Sequence, residues 1–224
     1  MIRSVRTALV CLIAAASVFA NARVRVIHAS PDAPKVDILL GAAGGPPPQI
    51  AIEALPYGQY TDYISVPAGS YQAAINVSGT STQVTSLSVT LEDGMAYTVV
   101  ATGFAASGKS PGFRVFAVPE TRDDEPPPGF SYIRFIHAAP SVPAVSVYAL
   151  PFAYATARNS DPVVASLPFG VTTGYSRVPA GSYFGRLTPE GSKTIVADAG
   201  RITLSSGSVR TVVALDTGFL VLED

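Results

Sequence analysis

Polar and apolar residues alternate with a period of two in several stretches of the chain, and no convincing helical period emerges beyond the N-terminal apolar run. Within 85–91, Leu87, Val89 and Leu91 fall on one side and Ser86, Ser88 and Thr90 on the other. Tyr71, Ala73, Ile75 and Val77 likewise oppose Gln72, Ala74 and Asn76. Side chains of a strand point alternately to its two faces, so each run predicts a strand with one face on a core and one in water. Val24, Val26 and His28 share such a face, as do Ile133, Phe135 and His137. Ile27 and Ile136 then lie on the opposite side, where another element covers them or a partner meets them.

Turn chemistry divides these runs at short intervals. Glu92-Asp93-Gly94 and Ser205-Ser206-Gly207 each stand between two apolar runs and predict hairpin turns in which Gly takes a positive φ. Pro67 and Pro179 preset φ for tight turns that Gly69 and Gly181 complete.

The pattern occurs twice. Val24-Arg25-Val26-Ile27-His28-Ala29-Ser30-Pro31 returns as Ile133-Arg134-Phe135-Ile136-His137-Ala138-Ala139-Pro140, and Val66-Pro67-Ala68-Gly69-Ser70-Tyr71 as Val178-Pro179-Ala180-Gly181-Ser182-Tyr183. The offset is 109 positions at the histidines, 112 at the prolines and 113 at Gly94 and Gly207. Its changes fall in Gly41 to Gln49, Leu150 to Pro162 and Ser78 to Gln83, stretches whose composition marks them as loops, where length changes are tolerated. A unit of this length holds one core, and several short strands without a helix must bury their apolar faces against a second sheet. The expected architecture is all-β: two tandem β-sandwich domains, immunoglobulin-like or transthyretin-like, after a signal peptide. The expected boundaries are a leader over 1–22, a first domain over 23–118, a linker over 119–130 and a second domain over 131–224.

The leader rests on Arg3 and Arg6, the uncharged run Ala8 to Ala20, and the small residues of Ala20-Asn21-Ala22. Those 13 residues fall short of the roughly 20 that a transmembrane helix needs. An exported mature chain starting near Arg23, periplasmic or on the cell surface, is expected. It would carry 13 basic and 16 acidic residues, no footprint for nucleic acid, and it would lose Cys11, the only cysteine. In the linker, Pro119 to Gly129 reads as a semi-stiff spacer with a polyproline run; an acidic cation site on Asp123, Asp124 and Glu125 is the alternative.

Little in the sequence points to chemistry. His28 and His137, each followed by a Pro-x-x-Pro loop (Pro31 and Pro34; Pro140 and Pro143), are the only histidines. Facing inward, they are read as ties between loop and sheet through backbone hydrogen bonds. Neither copy has a second His or Cys to share a metal, and Asp32 and Asp37, near enough in sequence to assist a general base, are replaced by Ser141 and Ser146 in the second copy. Nucleophile-elbow, phosphate-loop and dinucleotide glycine patterns do not occur. Neither a cofactor nor a catalytic residue is expected. Tyr57 with Phe169, Tyr63 with Tyr175, and Tyr71 with Tyr183 recur in both copies and are read as packing, so that Pro67, Gly69, Tyr71, Pro179, Gly181 and Tyr183 form a structural motif. A contact surface for a ligand is sought at Tyr57, Tyr60, Tyr148, Phe152 and Tyr154.

The string at 24–34, with Pro56-Tyr57-Gly58, Tyr63 and the Val-Pro-Ala-Gly-Ser-Tyr run at 66–71, resembles the bacterial secreted family known as domain of unknown function 4397. The likeness covers the first copy and, more loosely, the second, which departs at Ser141 and Ser146. The resemblance implies an exported, envelope-associated β-sandwich module, often in tandem, and supplies no activity.

The leading functional expectation is a non-catalytic binding or interaction module whose partner is an envelope protein or glycan, presented by the loops Gly41 to Gln49, Leu150 to Pro162 and Phe104 to Pro111. The alternative is a structural subunit of a surface assembly joined through Ile27 and Ile136; a glycan-active hydrolase stands third.

Overall fold

The computed structural model describes residues 21–45, 49–122, 124–153 and 156–224. The leader through Ala20 lies outside the described residues. The first half contains β1 (Asn21–Ala29), β2 (Val36–Ala42), β3 (Gln49–Leu55), β4 (Ile64–Pro67), β5 (Gly69–Val77), β6 (Gln83–Leu91), β7 (Ala96–Thr102) and β8 (Arg114–Pro119). The second contains β9 (Phe130–His137), β10 (Ala144–Leu150), β11 (Val164–Pro168), β12 (Ser176–Pro179), β13 (Gly181–Pro189), β14 (Ala197–Leu204), β15 (Val209–Leu215) and β16 (Gly218–Glu223). Apart from a single 3-10 turn at Ala157–Asn159, the regular structure of the described residues is strand. None of their helices is long and apolar enough to cross a membrane.

Each half is a sandwich of two four-stranded sheets, in the orders β4-β1-β7-β8 and β3-β2-β5-β6, then β12-β9-β15-β16 and β11-β10-β13-β14. Of the two sandwich arrangements expected, this is the transthyretin-like one. The first strand lies between the fourth and the seventh, parallel to the seventh, while the second strand belongs to the facing sheet. Val26, Val36, Ile38, Leu55 and Ile75 fill the first core; Ile133, Phe135, Val145, Leu187 and Val212 belong to the second. The turns at Gly94 (φ 71°) and Gly207 (φ 80°) take the positive φ expected of them, but they are not hairpins. β6 and β7 belong to different sheets, as do β14 and β15, so each turn carries the chain across the sandwich. A period of two identifies a strand without identifying its neighbour.

Two sheets depart from the expectation of one dry and one wet face. From Arg25 to Ala29 every residue of β1 is buried, and the same holds from Ile133 to His137 in β9. The cause is the other half of the molecule. Ile27, Val100 and Val118 pack against Ile136, Val213 and Leu222, joining the sheets of β1 and β9 back to back into a four-layer stack. Ile27 and Ile136 are 0% exposed, so the surface expected to join a larger assembly is covered within the chain. Burial of each such side chain contributes about 1.5–3 kcal/mol. Thr102 Oγ1 donates across the seam to the Ala138 carbonyl at 2.7 Å.

Candidate functional site

The repeated histidines are held identically at one ring nitrogen and nearly so at the other. The Ser30 N–H donates to His28 Nδ1 at 3.3 Å, and Nε2 lies 3.0 Å from the Pro34 carbonyl. In the second half the Ala139 N–H meets His137 Nδ1 at 3.3 Å, and Nε2 lies 2.9 Å from the carbonyl of Val142, one position earlier than the equivalent of Pro34. A carbonyl only accepts and an N–H only donates, so both rings are neutral with the proton on Nε2. Burial lowers the pKa of each. Both nitrogens of each ring are engaged with backbone. Asp32 accepts from the Ala105 and Ala106 N–H groups, and Asp37 from those of Ala54 and Gly79. Ser141 pairs with Asp216, and Ser146 donates to the Ala165 carbonyl.

The Pro-Ala-Gly-Ser-Tyr runs form matching corners. Tyr71 Oη donates to the Pro67 carbonyl at 2.9 Å, and Tyr183 Oη to Pro179 at 2.8 Å. Gly69 has φ 153°, and the rings of Tyr71 and Tyr183 pass close over Gly69 and Gly181. Pro31, Pro34, Pro140 and Pro143 lie in the loops that the histidines clamp.

The aromatic candidates do not form one surface. Tyr60 is 44% exposed and Phe152 54%, on different sandwiches. Tyr57 is half-buried, edge-on to His28, and its hydroxyl meets Thr217 Oγ1 across the seam at 3.3 Å. Tyr148 is a correction: it is 2% exposed, because the loop after β10 folds back over it with Leu150, Ala157 and Phe184. Tyr154 lies outside the described residues, as do positions 46–48 of the Gly41 to Gln49 loop.

The linker is also corrected. It does not begin as a spacer, because Glu120 is drawn into the seam with its side chain 2% exposed. There it accepts from Arg25 at 3.3 Å, Arg134 at 3.2 Å, Thr98 at 2.9 Å and Tyr63 at 2.5 Å. Asp224, its counterpart after the last strand, pairs with Arg25 and accepts from Tyr175 at 2.7 Å and Thr211 at 2.5 Å. The arginines lie over tyrosine rings, Arg25 over Tyr63 at 4.8 Å and Arg134 over Tyr175 at 4.7 Å. Burial, with the carboxylate neighbours, raises the pKa of both phenols, which remain donors. Two guanidiniums and two carboxylates compensate one another here, as charges out of water must.

Beside this cluster the linker roofs a cleft of about 460 Å³, lined by Thr121, Arg122, Asp124, Tyr132, Tyr175 and Arg177. The alternation that sends Phe135 and His137 inward sends Tyr132 and Arg134 to the seam face, and Arg177 lies opposite Tyr132 in register. Tyr132 Oη donates to Asp124 Oδ1 at 2.5 Å. Arg122 lies 5.6 Å over the Tyr175 ring; its Nη2 reaches Glu125 at 3.4 Å, and its buried Nε has no acceptor among the described residues. Arg177 lies 5.1 Å over the Phe130 ring. The equivalent place in the first half holds Arg23, Tyr63 and Ser65, with Arg23 over Tyr63 at 5.0 Å, so the halves differ here. Asp123 lies outside the described residues, and among those described no three His, Cys, Asp or Glu side chains gather to hold a metal ion.

Arg25, Arg134, Glu120, Asp224, Arg122 and Arg177 are absent from the residues singled out in the sequence. A signal for the first four existed. Arg25 and Arg134 are charges within repeated apolar strands, and Glu120 and Asp224 each follow the last strand of a copy. The cleft leaves no such trace, because Tyr132 and Arg177 are not repeated: the first half has Arg23 and Ser65 in their places.

The model of the family described as Domain of unknown function (DUF4397) matches residues 22–148, from β1 through β8 and on into β10. No curated protein matches. Among solved structures, the TIE protein of Bacillus anthracis is 9% identical, with 88% of this chain covered and a TM-score of 0.26; the chain spans about a third (34%) of that protein. A family CBM26 module from Eubacterium rectale Amy13K, solved with maltoheptaose, is 11% identical over 90% of this chain and 97% of that one, TM-score 0.26. Family 41 carbohydrate-binding modules from streptococcal virulence factors, described for alpha-glucan recognition, are 12% identical over 88% and 95%, TM-score 0.29. At TM-scores this low the likeness carries no weight for the fold or ligand of this chain.

Proposed function

The chain belongs to the family described as Domain of unknown function (DUF4397), and we propose that it is an exported, non-catalytic binding module of the cell envelope that holds a glycan in the cleft between its linker and β9. Export is supported by the leader pattern of the first 22 residues. One observation carries the binding reading. An open, polar cleft of about 460 Å³ is lined by the Arg122 and Arg177 side chains beside the Asp124–Tyr132 pair. Its size falls within the range of small-molecule sites, roughly 300–1,000 Å³. Tyr175 in its wall is fixed by its bond to Asp224 and by Arg134 over its ring, and such preorganisation reduces the entropy lost on binding. Neutral, backbone-clamped histidines support a structural role for those residues.

The test is a glycan array probed with the purified exported chain, followed by titration of the hits. A discrete set of glycans is expected to bind, and Tyr132→Ala is expected to weaken binding at least about tenfold with an unchanged thermal midpoint. An array without hits, or hits indifferent to Tyr132→Ala, rejects the cleft as the site. Release of new reducing ends from a bound glycan would make the protein a hydrolase.

A further inference from the structure

We propose that the exported chain forms a two-fold dimer in which β6 pairs with the β6 of a second copy, so that the sheet β3-β2-β5-β6 continues from one molecule into the other. An edge strand exposes unpaired N–H and C=O groups, and proteins blunt such edges with charge, proline, bulges or short length. The edge strands here are β4 and β8, β3 and β6, β12 and β16, and β11 and β14. β4, β11 and β12 are short and end on Pro67, Pro168 and Pro179; β3, β8 and β16 carry Glu53, Arg114 and Glu223. β14 carries Asp198 and Arg201 and is bulged beside Gly200, whose φ is 65°. β6 has none of the charged or cyclic guards. Its nine residues, Gln83-Val84-Thr85-Ser86-Leu87-Ser88-Val89-Thr90-Leu91, include no charge, no proline and no glycine. Past an irregularity at Val84 it pairs with β5 without a break from Thr85 to Leu91.

The phase of the ladder fixes which groups are free. The Ala43 N–H donates to the Ser70 carbonyl at 2.9 Å, so even-numbered residues of β5 direct their backbone groups toward β2 and odd-numbered ones toward β6. Thr85, Leu87 and Val89, opposite Ile75, Ala73 and Tyr71, spend theirs on β5. Ser86, Ser88 and Thr90 direct theirs to the open edge, where no backbone partner stands among the described residues. A second β6 running antiparallel about an axis at Ser88 meets these groups in full, Ser88 opposite Ser88 and Ser86 opposite Thr90. On the core face Leu87 then lies opposite Val89, both of them half-buried in the single chain, and Thr85 opposite Leu91. β6 has no charge to repel its copy. The second half bars the same pairing at the same place. Ser88 is opposite Gln72 and Arg201 opposite Phe184, so Arg201 is the equivalent of Ser88, and a β14 paired with its own copy would set two arginines face to face.

Sedimentation equilibrium of the exported chain, from about 1 μM to about 1 mM, tests this. A contact confined to one strand edge is smaller than the roughly 1,200 Å² of standard interfaces, so a reversible dimer that fills toward the upper concentrations is expected. Ser88→Arg and Ser88→Glu are each expected to raise the dissociation constant at least about tenfold, because each sets like charges opposite one another on the axis. The thermal midpoint of the dilute chain is expected to stay unchanged, since Ser88 is exposed and loses only the bond from its hydroxyl to Gln72 Oε1 at 2.6 Å. An equimolar mixture of Ser88→Arg and Ser88→Glu chains is expected to recover dimers, now of one chain of each kind. A wild type that stays monomeric throughout overturns the dimer; if that monomer binds a synthetic peptide of residues 83–91, the occupant of the edge is an extended peptide and not a second copy. A dimer that Ser88→Arg leaves intact, or a charge-swapped mixture that does not recover, overturns the pairing about Ser88.

Discussion

Arg25 and Arg134 answer each other across the seam. Each guanidinium donates to the backbone carbonyl that closes the other sandwich, Arg134 to Pro119 at 3.0 Å and Arg25 to Glu223 at 2.8 Å. Their Nε atoms bond Thr98 at 2.9 Å and Thr211 at 2.7 Å, each in its own half. The two arginines therefore read whether both sandwiches are complete and docked. Buried ion pairs add little net stability over apolar packing, yet they are costly to break, which makes them devices for geometry.

Removing one of the arginines should leave two buried carboxylates, Glu120 and Asp224, with a single guanidinium between them. Arg134→Met is expected to cost about 3–5 kcal/mol in urea unfolding, against less than about 0.5 kcal/mol for Arg177→Met at the exposed cleft wall. Glu120→Gln added to Arg134→Met should recover part of the loss, since the stranded charge is its source. A single-variant cost below about 1 kcal/mol would reject the cluster as the lock of the seam. The wild-type chain is expected to unfold in one transition, not two.

Acid should loosen both sandwiches through the histidines. Burial lowers the folded pKa of His28 and His137 beneath the ordinary 6.5. The unfolded chain therefore binds more protons than the folded one as pH falls below that value, so stability present above it is lost on acidification. The added proton would sit on Nδ1, facing the N–H of Ser30 or Ala139. Urea midpoints measured from pH 8 to 5 should fall in the wild type. In the doubly substituted His28→Phe/His137→Phe chain, less stable throughout, they should fall less steeply; an unchanged slope would place the acid sensitivity elsewhere.

The repeated tyrosine corners should matter for stability and not for binding. Tyr71→Phe and Tyr183→Phe each remove one hydroxyl bond to a carbonyl four residues back, and each should cost about 0.5–1.5 kcal/mol by thermal or urea unfolding. Tyr60→Ala, at an exposed position of one copy, should change stability by less than the corner variants. A corner variant that lowers glycan affinity without lowering the midpoint would move those residues into the binding surface.

Much of the fold was legible because strands and turns are local. The alternation in Tyr71 to Val77 and in Thr85 to Leu91 recurs in the burial of β5 and β6, and Gly94 and Gly207 adopt the φ that Gly permits. The repeated strings return as strands in matching sheets. What failed is what depends on a distant partner. Tyr148 read as a surface residue and is covered by the loop that follows it. Glu120, between Pro119 and a charged stretch, read as solvated linker and is a buried acceptor for two arginines.

The order of apolar and polar residues by itself determined that this chain forms short strands, that they fall into two related sets, and that the sets need sandwiched sheets, because backbone geometry enforces the period of two within a few residues. Only the tertiary structure decided which outer faces are dry, since that depends on Ile27 meeting Ile136 from more than a hundred residues away. It also decided that a charged linker residue lies at the centre and that the linker passes over β9 to enclose a cleft with Arg177 and Tyr132. A buried charge is tolerated only where its counterions converge, and a cleft forms only where a wall passes over a sheet; both are relations between distant segments that local periodicity does not encode.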